Sequence, residues 1–369
     1  MTANSDIPSD LARYSRQMLF APIGVQGQRR LRNASVTLVG CGALGSVLAN
    51  TLVRAGVGAL RIIDRDFIEL SNLQRQTLFD EHNIAQSLPK AVAAARKLRK
   101  INSAVEIEDF VADVNPATIE TLCGSADLVL DGTDNLATRY LINDFAVREN
   151  IPWVFGACLA AEGLVLPILP HETACLRCIW PDPPTPGSLP TCDTAGVLAA
   201  TVQIVASLQA TEAMKILIGR DADVSRCLLA IDAWAGRIRA LNVQSAREAG
   251  DCPCCGQARY EFLSGEKFAV TTTLCGRDAV QILPGGAGVS SASRDAPAVS
   301  FKSIVDRLPP RSNPKRNEFL LRFTIEAPSS AASDSTRYTV TLFTDGRAIV
   351  QGTSDPAVAQ SIYARYVGT

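Results

Sequence analysis

ASVTLVGCGALGS, residues 34–46, decides the fold. Its first seven residues are nearly all apolar, as suits a strand covered on both faces. Gly40, Gly42 and Gly45 follow as G-x-G-x-x-G, and a helical pattern runs over Ala43–Ala55. Glycines at a strand-to-helix turn let the backbone bend tightly and approach phosphates, and the helix N-terminus favours negative charge. About twenty residues on, Asp64 ends a second apolar run, where a carboxylate can bind ribose hydroxyls. Alone, this pattern means a nucleotide or dinucleotide site, and an NAD-dependent oxidoreductase is the common reading.

Working outward, ALRIID (59–64), AVEIEDF (104–110) and ADLVLD (126–131) read as further strands. Helices are predicted over Pro89–Ile101 and Pro116–Cys123, with proline at the first position, and over Asn135–Asn150. PWVFGA and GLVLPIL read as two more strands. This alternation predicts an α/β fold: a Rossmann-like, doubly wound, mostly parallel sheet. After Gly256 the texture changes, and 257–369 is expected to be a small α+β domain after a first domain over 1–256. LPGGAGVSSASRDAPAVS (283–300) reads as a flexible segment. Beyond it the pattern gives a helix (FKSIVDRL), a strand (EFLLRFTIEA), a strand (RYTVTLFTDGRAIVQG) and a helix (DPAVAQSIYARYV). TLCGRDAVQIL (273–283) reads as a helix or turn.

With 369 residues, 47% apolar and 20% charged, the chain has the balance of a soluble globular protein of two or three domains. A formal net charge of −1 gives no electrostatic argument for nucleic acid or an anionic membrane. The N-terminus lacks a basic-then-apolar signal, so a cytoplasmic location is expected. Ala195–Met214 is the most apolar run, but Gln203, Gln209 and Glu212 interrupt it, which indicates a buried helix rather than a membrane span.

Eleven cysteines against two histidines ask for thiolate metal chemistry or catalysis rather than disulfides. CLRC supplies Cys175 and Cys178; DCPCCG supplies Cys252 and Cys255. Two C-x-x-C pairs complete the tetrahedral four-thiolate site that Zn2+ prefers. Near the glycine loop, DRDFIELSNLQRQTLF carries Asn72, Arg75 and Gln76, Lys90 opens a helix, and LVLDGTDN contributes Asp131 and Asp134. Arg and Lys at a nucleotide suit a triphosphate, and a carboxylate at a strand's end suits Mg2+. Asp134 is also placed to cap the helix after it.

RYSRQ (13–17), the glycine loop, D-x-D-x-x-x-x-S-N-L-Q-R-Q, P-K, D-x-T-D-N, C-x-x-C and C-x-x-C-G occur in the order seen in the ThiF/MoeB/HesA family, which the chain resembles over residues 11 to 256. That resemblance implies ATP-dependent adenylation of a small β-grasp protein ending in Gly-Gly. Asp64 would bind ribose; Asn72, Arg75, Gln76 and Lys90 would contact the phosphates; Asp134 would hold Mg2+. Arg16 would reach across a homodimer into the partner's ATP site. Zinc is implied at the two cysteine pairs. Cys41 departs from the small residue usual in the loop and is expected to be tolerated.

Within that family the carrier can serve sulfur transfer, fed by a persulfide donor, or be a ubiquitin-like modifier destined for conjugation. Cys192, in the proline-rich stretch PDPPTPGSLPTCDTAGVL, matches the family's crossover-loop cysteine and is left between a transfer thiol and a bystander. The C-terminal region lacks the Cys-centred loop of a rhodanese. Cys275 reads as structural, with a relay thiol as its alternative. That region could engage the carrier, a downstream acceptor or a tRNA. A scaffold keeping the fold without turnover is the non-enzymatic alternative.

Overall fold

The computed structural model describes residues 9–184, 192–268, 272–274, 279–282, 300–328, 335–344 and 346–367. The chain divides into two compact units, Met1–Ser188 with Val197–Phe268, and Leu189–Gly196 with Ala269–Thr369.

The first unit is built on eight strands: β1 (Ser35–Val39), β2 (Ala59–Ile63), β3 (Glu106–Phe110), β4 (Leu128–Asp131), β5 (Trp153–Leu159), β6 (Glu162–Ile168), β7 (Cys227–Asp232) and β8 (Arg237–Asn242). Their order is β3-β2-β1-β4-β5-β6-β7-β8, parallel from β3 to β5 and antiparallel thereafter. The apolar run that opened the sequence analysis becomes β1, third from the parallel edge, with β2 on one side and β4 on the other. Strand order reverses between β1 and β4, and in open α/β sheets the crevice at such a switch point, beyond the strands' C-terminal ends, is where ligands bind.

Helices Ala43–Ala55, Lys90–Ile101 and Leu136–Glu149 fall where the pattern put them. Two proline positions differ. Pro89 is the N-cap residue, extended at ψ 146°, rather than the first helical residue. Pro116 lies in a turn before the helix Ile119–Cys123, because Asn115 and Thr118 close that turn through side-chain hydrogen bonds. The helix Ala199–Leu217 carries the most apolar run. Two of the polar residues that interrupt it are buried with partners: Gln209 reaches backbone carbonyls and Glu212 pairs with Lys215 at 2.6 Å. Among the described residues, no helix is long and apolar enough to cross a membrane.

The second unit is a six-stranded antiparallel sheet. Its strands are β9 (Thr272–Leu274), β10 (Ala279–Ile282), β11 (Lys315–Arg316), β12 (Leu320–Pro328), β13 (Ser335–Phe343) and β14 (Ala348–Gln351), in the order β11-β12-β13-β14-β10-β9. Val280, Leu321, Phe323, Val340 and Val350 form its core together with Ala359 and Ile362 of the helix Pro356–Tyr366. Two expectations fail here. RYTVTLFTDGRAIVQG is a hairpin of β13 and β14 rather than one strand, because Gly346 at φ +83° turns the chain back. TLCGRDAVQIL supplies the paired strands β9 and β10, which removes the helix over 279–282, while the alternative of a turn before it falls on 275–278, outside the described residues. Cys275 and most of 283–300 lie outside the described residues.

Candidate functional site

The glycine loop is shaped by backbone contact rather than by side chains. Gly40 has φ +87°, and a Cβ there would lie 2.7 Å from the carbonyl of Gly132. A Cβ at Gly45 would lie 2.0 Å from the Gly40 oxygen, and one at Gly132 would lie 2.4 Å from that same atom. Gly40, Gly45 and Gly132 therefore interlock, which brings the β1 turn against the end of β4. Gly42 is different: its missing Cβ faces open space except for the Gln76 amide at 3.7 Å. An opening at Gly42 above a closed backbone junction is the shape a phosphate needs.

Asp64, at the end of β2, is buried and accepts hydrogen bonds from the backbone N–H of Cys41 at 2.6 Å and of Asp66 at 2.7 Å. Burial pushes its carboxyl above the usual range, against the pull of nearby Lys90. Lys90 is itself buried, and its Nζ lies 3.1 Å from Asp66. Asn72 and Gln76 are one turn apart and buried, and each keeps a side-chain polar atom without a partner: Nδ2 of Asn72 and Oε1 of Gln76. Leaving such groups unpaired costs about 1–3 kcal/mol each. Cys41 is fully buried, and burial raises its thiol well above the ordinary range, so it behaves as a small apolar residue.

The remaining nucleotide-site residues separate. Asp134 is exposed beyond β4, beside the positive charge of Arg65. It is not the helix cap: Asn135 fills that role, its side chain accepting from Thr138 N–H at 3.2 Å. Asp131 is fully buried and already engaged, 2.9 Å from Arg139, which leaves Asp134 as the open carboxylate of the pair. Arg75 is half-buried and donates to the carbonyl of Ser71 at 2.9 Å. Arg16 is exposed and, among the described residues, has no hydrogen bond or ion pair. Its neighbours are anchored: the Tyr14 hydroxyl accepts from Asn102 at 2.8 Å, and Gln17 donates to Gln28 and to the carbonyl of Ala55. Cys192 lies in the short helix Cys192–Ala195, and its side chain falls outside the described residues.

The four cysteines predicted to bind metal do converge, their Sγ atoms all within 4.8 Å of one another. The Cys175–Cys252, Cys175–Cys178 and Cys178–Cys255 contacts are 3.6, 3.7 and 3.4 Å. A tetrahedral zinc with Zn–S of about 2.3 Å needs sulfur–sulfur edges of about 3.8 Å, so the donor set and its spacing fit Zn2+. Sulfur hydrogen bonds from Cys175, Cys178 and Cys255 pull the Cys252 thiol down, while those among the others push Cys178 and Cys255 up.

Two residues of the helix Leu136–Glu149 brace this cluster. Asn143 accepts from Leu176 N–H at 2.9 Å and donates towards Cys254 at 3.3 Å and Cys175 at 3.7 Å. Asp144 accepts from Phe262 N–H at 2.9 Å and pairs with the fully buried Arg177 at 3.3 Å. Arg177 also pairs with Glu261 at 2.6 Å. Cys254, between the ligands of the second pair, is fully buried; it accepts from Asn143 and also touches Cys175, but it is not among the four mutually close sulfurs.

Sequence reasoning passed over Gly132, Arg139, Gln209 and Asn143. Gly132 lay within the quoted LVLDGTDN and could have been singled out as a glycine at a strand's end. Gln209 and Asn143 act across long separations, and Arg139, though only eight residues from Asp131, belongs to no motif that was read.

Residues 14–254 match the ThiF family. The chain is 40% identical over 357 residues to the sulfur carrier protein ThiS adenylyltransferase of Bacillus subtilis (strain 168), covering 96% of this chain and 99% of that protein. It is 39% identical over 267 residues to the sulfur carrier protein adenylyltransferase of Thermus thermophilus, covering 70% of this chain and 96% of that one. With the adenylyltransferase and sulfurtransferase MOCS3 of Sus scrofa it shares 41% identity over 248 residues, 67% of this chain but 54% of the relative, so it spans about half of that protein. Among solved structures, E. coli MccB with MccA-N7isoASN superposes with a TM-score of 0.59 at 24% identity, over 68% of this chain and 75% of that one, a likeness of fold. The interlocked glycine loop, the cysteine cluster and the match across 14–254 place the chain in the ThiF family of adenylyltransferases.

Proposed function

We propose that this enzyme uses Mg-ATP to adenylate the C-terminal glycine carboxylate of a small sulfur-carrier protein ending in Gly-Gly, preparing it for sulfur transfer. The observation that carries the reading is the unpartnered, buried Asn72 Nδ2, one turn from Gln76, whose amide nitrogen faces the opening at Gly42. These two nitrogens and the Lys90 ammonium are donors that the oxygens of a polyphosphate accept from. The sulfur carrier as substrate comes from the end-to-end likeness to the ThiS adenylyltransferase of Bacillus subtilis.

In this reading Asp64 binds the ribose hydroxyls, and the glycine loop, Asn72, Gln76, Arg75 and Lys90 hold the phosphates. Asp134 holds Mg2+, which neutralises charge on the polyphosphate when bound. The carrier carboxylate attacks the α-phosphate, its C–O–P anhydride bond forms as the α–β bond breaks, and pyrophosphate leaves. Positioned charge does most of this work. Arg16 serves the partner's site in a homodimer; its exposure and lack of a partner among the described residues support this. The cysteine cluster holds a structural Zn2+. Cys192 is the candidate thiol for the step after adenylation, in which a persulfide donor supplies sulfur.

ATP–pyrophosphate exchange tests the reading. Exchange is expected with a ThiS-type carrier ending in Gly-Gly and is expected to vanish with a carrier lacking its last glycine. Exchange that ignores the carrier's terminus would overturn it, and NADH formation with an alcohol would restore the oxidoreductase. A Cys192→Ala enzyme that exchanges normally but no longer yields thiocarboxylate assigns the transfer step to Cys192; full thiocarboxylate yield makes that cysteine a bystander.

A further inference from the structure

Beneath the loop that carries Asp134 sits a buried cation with no place in the reaction described so far. Arg139, four residues after the helix cap Asn135, is 9% exposed. Its Nε donates to Asp131 Oδ2 at 2.9 Å, and its Nη2 donates to the carbonyls of Thr133 at 2.6 Å and Gly156 at 3.0 Å. The guanidinium also lies 5.2 Å from the Phe155 ring centroid. Asp131 accepts in turn from Thr133 N–H at 2.9 Å. From the helix Ala199–Leu217, Gln209 Nε2 donates to the carbonyls of Asp131 at 2.9 Å and Val154 at 3.3 Å.

Thr133 is thus held at both its N–H and its C=O. That carbonyl belongs to the peptide unit leading into Asp134, so fixing it fixes where the Asp134 backbone starts. A planar guanidinium meets the carboxylate with Nε and the two carbonyls with Nη2, positions that an ammonium, with its three donors on one atom, does not span. We propose that Arg139 is a positioning residue: by tying the 131–134 loop to Gly156 in the middle of β5, it aims the exposed Asp134 carboxylate at the metal of bound Mg-ATP. This rests on the assignment of Asp134 to Mg2+ made above.

The test is equilibrium binding of ATP to the whole enzyme, in EDTA and in Mg2+, for wild type, Arg139→Lys and Asp134→Ala. Arg139→Lys keeps the charge beside Asp131 but loses the fork. It is expected to bind ATP in EDTA within about twofold of wild type and to lose about tenfold of the affinity that Mg2+ adds, the usual scale for a residue one layer behind a metal ligand. Asp134→Ala is expected to lose that gain as well. Arg139→Lys retaining the full gain, with Asp134→Ala losing it, overturns the positioning role alone. Asp134→Ala retaining the gain overturns the metal assignment and the proposal with it. Equal losses in EDTA and Mg2+ make Arg139 a fold residue and overturn the proposal. If Arg139→Lys does not fold, Asp131→Asn with Arg139→Gln, which removes both buried charges together, decides by the same ratio; failure of both to fold also overturns it.

Discussion

The nucleotide cradle and the cysteine cluster sit in one unit, yet they are finished to different degrees. The cluster is self-supporting: four thiols at near-tetrahedral spacing, with Asn143, Asp144 and Arg177 satisfying the groups around them. The cradle is incomplete on its own, with one polar atom each of Asn72 and Gln76 left unpaired and Lys90 resting on Asp66. A structural site can settle all its valences within the chain. A site that turns over must keep some unsettled for the ligand.

The sharpest way to break that contrast is to open the closed site. Cys175→Ser is expected to take bound zinc from about one per chain to near zero and to lower Tm by about 10 °C, corresponding to a loss of about 3 kcal/mol in a unit of this size; metal analysis and thermal melting check it. On the open side, Asp134→Ala should slow carrier-dependent exchange by roughly 10²–10³-fold while Tm stays put, because Asp134 is exposed and caps nothing. An equal fall in stability would mean the two sites are alike after all. Asn143→Leu removes only the brace, so zinc should stay bound at rest but escape to a chelator about 10- to 100-fold faster, followed with a colorimetric indicator. The smallest effect sharpens the comparison within the cradle itself. Gly42→Ala, whose Cβ meets only the Gln76 amide at 3.7 Å, should fold normally, whereas Gly45→Ala, with its Cβ 2.0 Å from a backbone oxygen, should destabilise by about 3 kcal/mol; denaturant titration of the pair separates them.

How far each site could be read beforehand follows the range of its interactions. The glycine spacing, the two C-x-x-C pairs and the S-N-L-Q-R-Q run are local, and the structure gathers Gly40, Asp64, Asn72, Gln76 and Lys90 around one end of the sheet. Arg139 and Gln209 were not legible, since Gln209 reaches Asp131 across 78 residues of chain. For Asp134 the sequence left a capping role open beside the metal role implied by the resemblance, and the structure removes the capping role, because Asn135 caps instead. In the second unit the D-G pair at 345–346 is itself a hairpin signal. The apolar alternation on both sides of it hid the break between β13 and β14.

The contact among Gly40, Gly45 and Gly132 also bears on heredity. The Gly40 oxygen is the atom that a methyl at either of the other two positions would strike first. A first methyl at any of the three meets backbone, and backbone cannot be repacked by a compensating side chain. The three codons, though 92 apart at their extremes, therefore form one inherited unit with no single-step neighbours. A library meant to retune nucleotide choice gains nothing by randomising them; its variation belongs at Gly42, where the space is open.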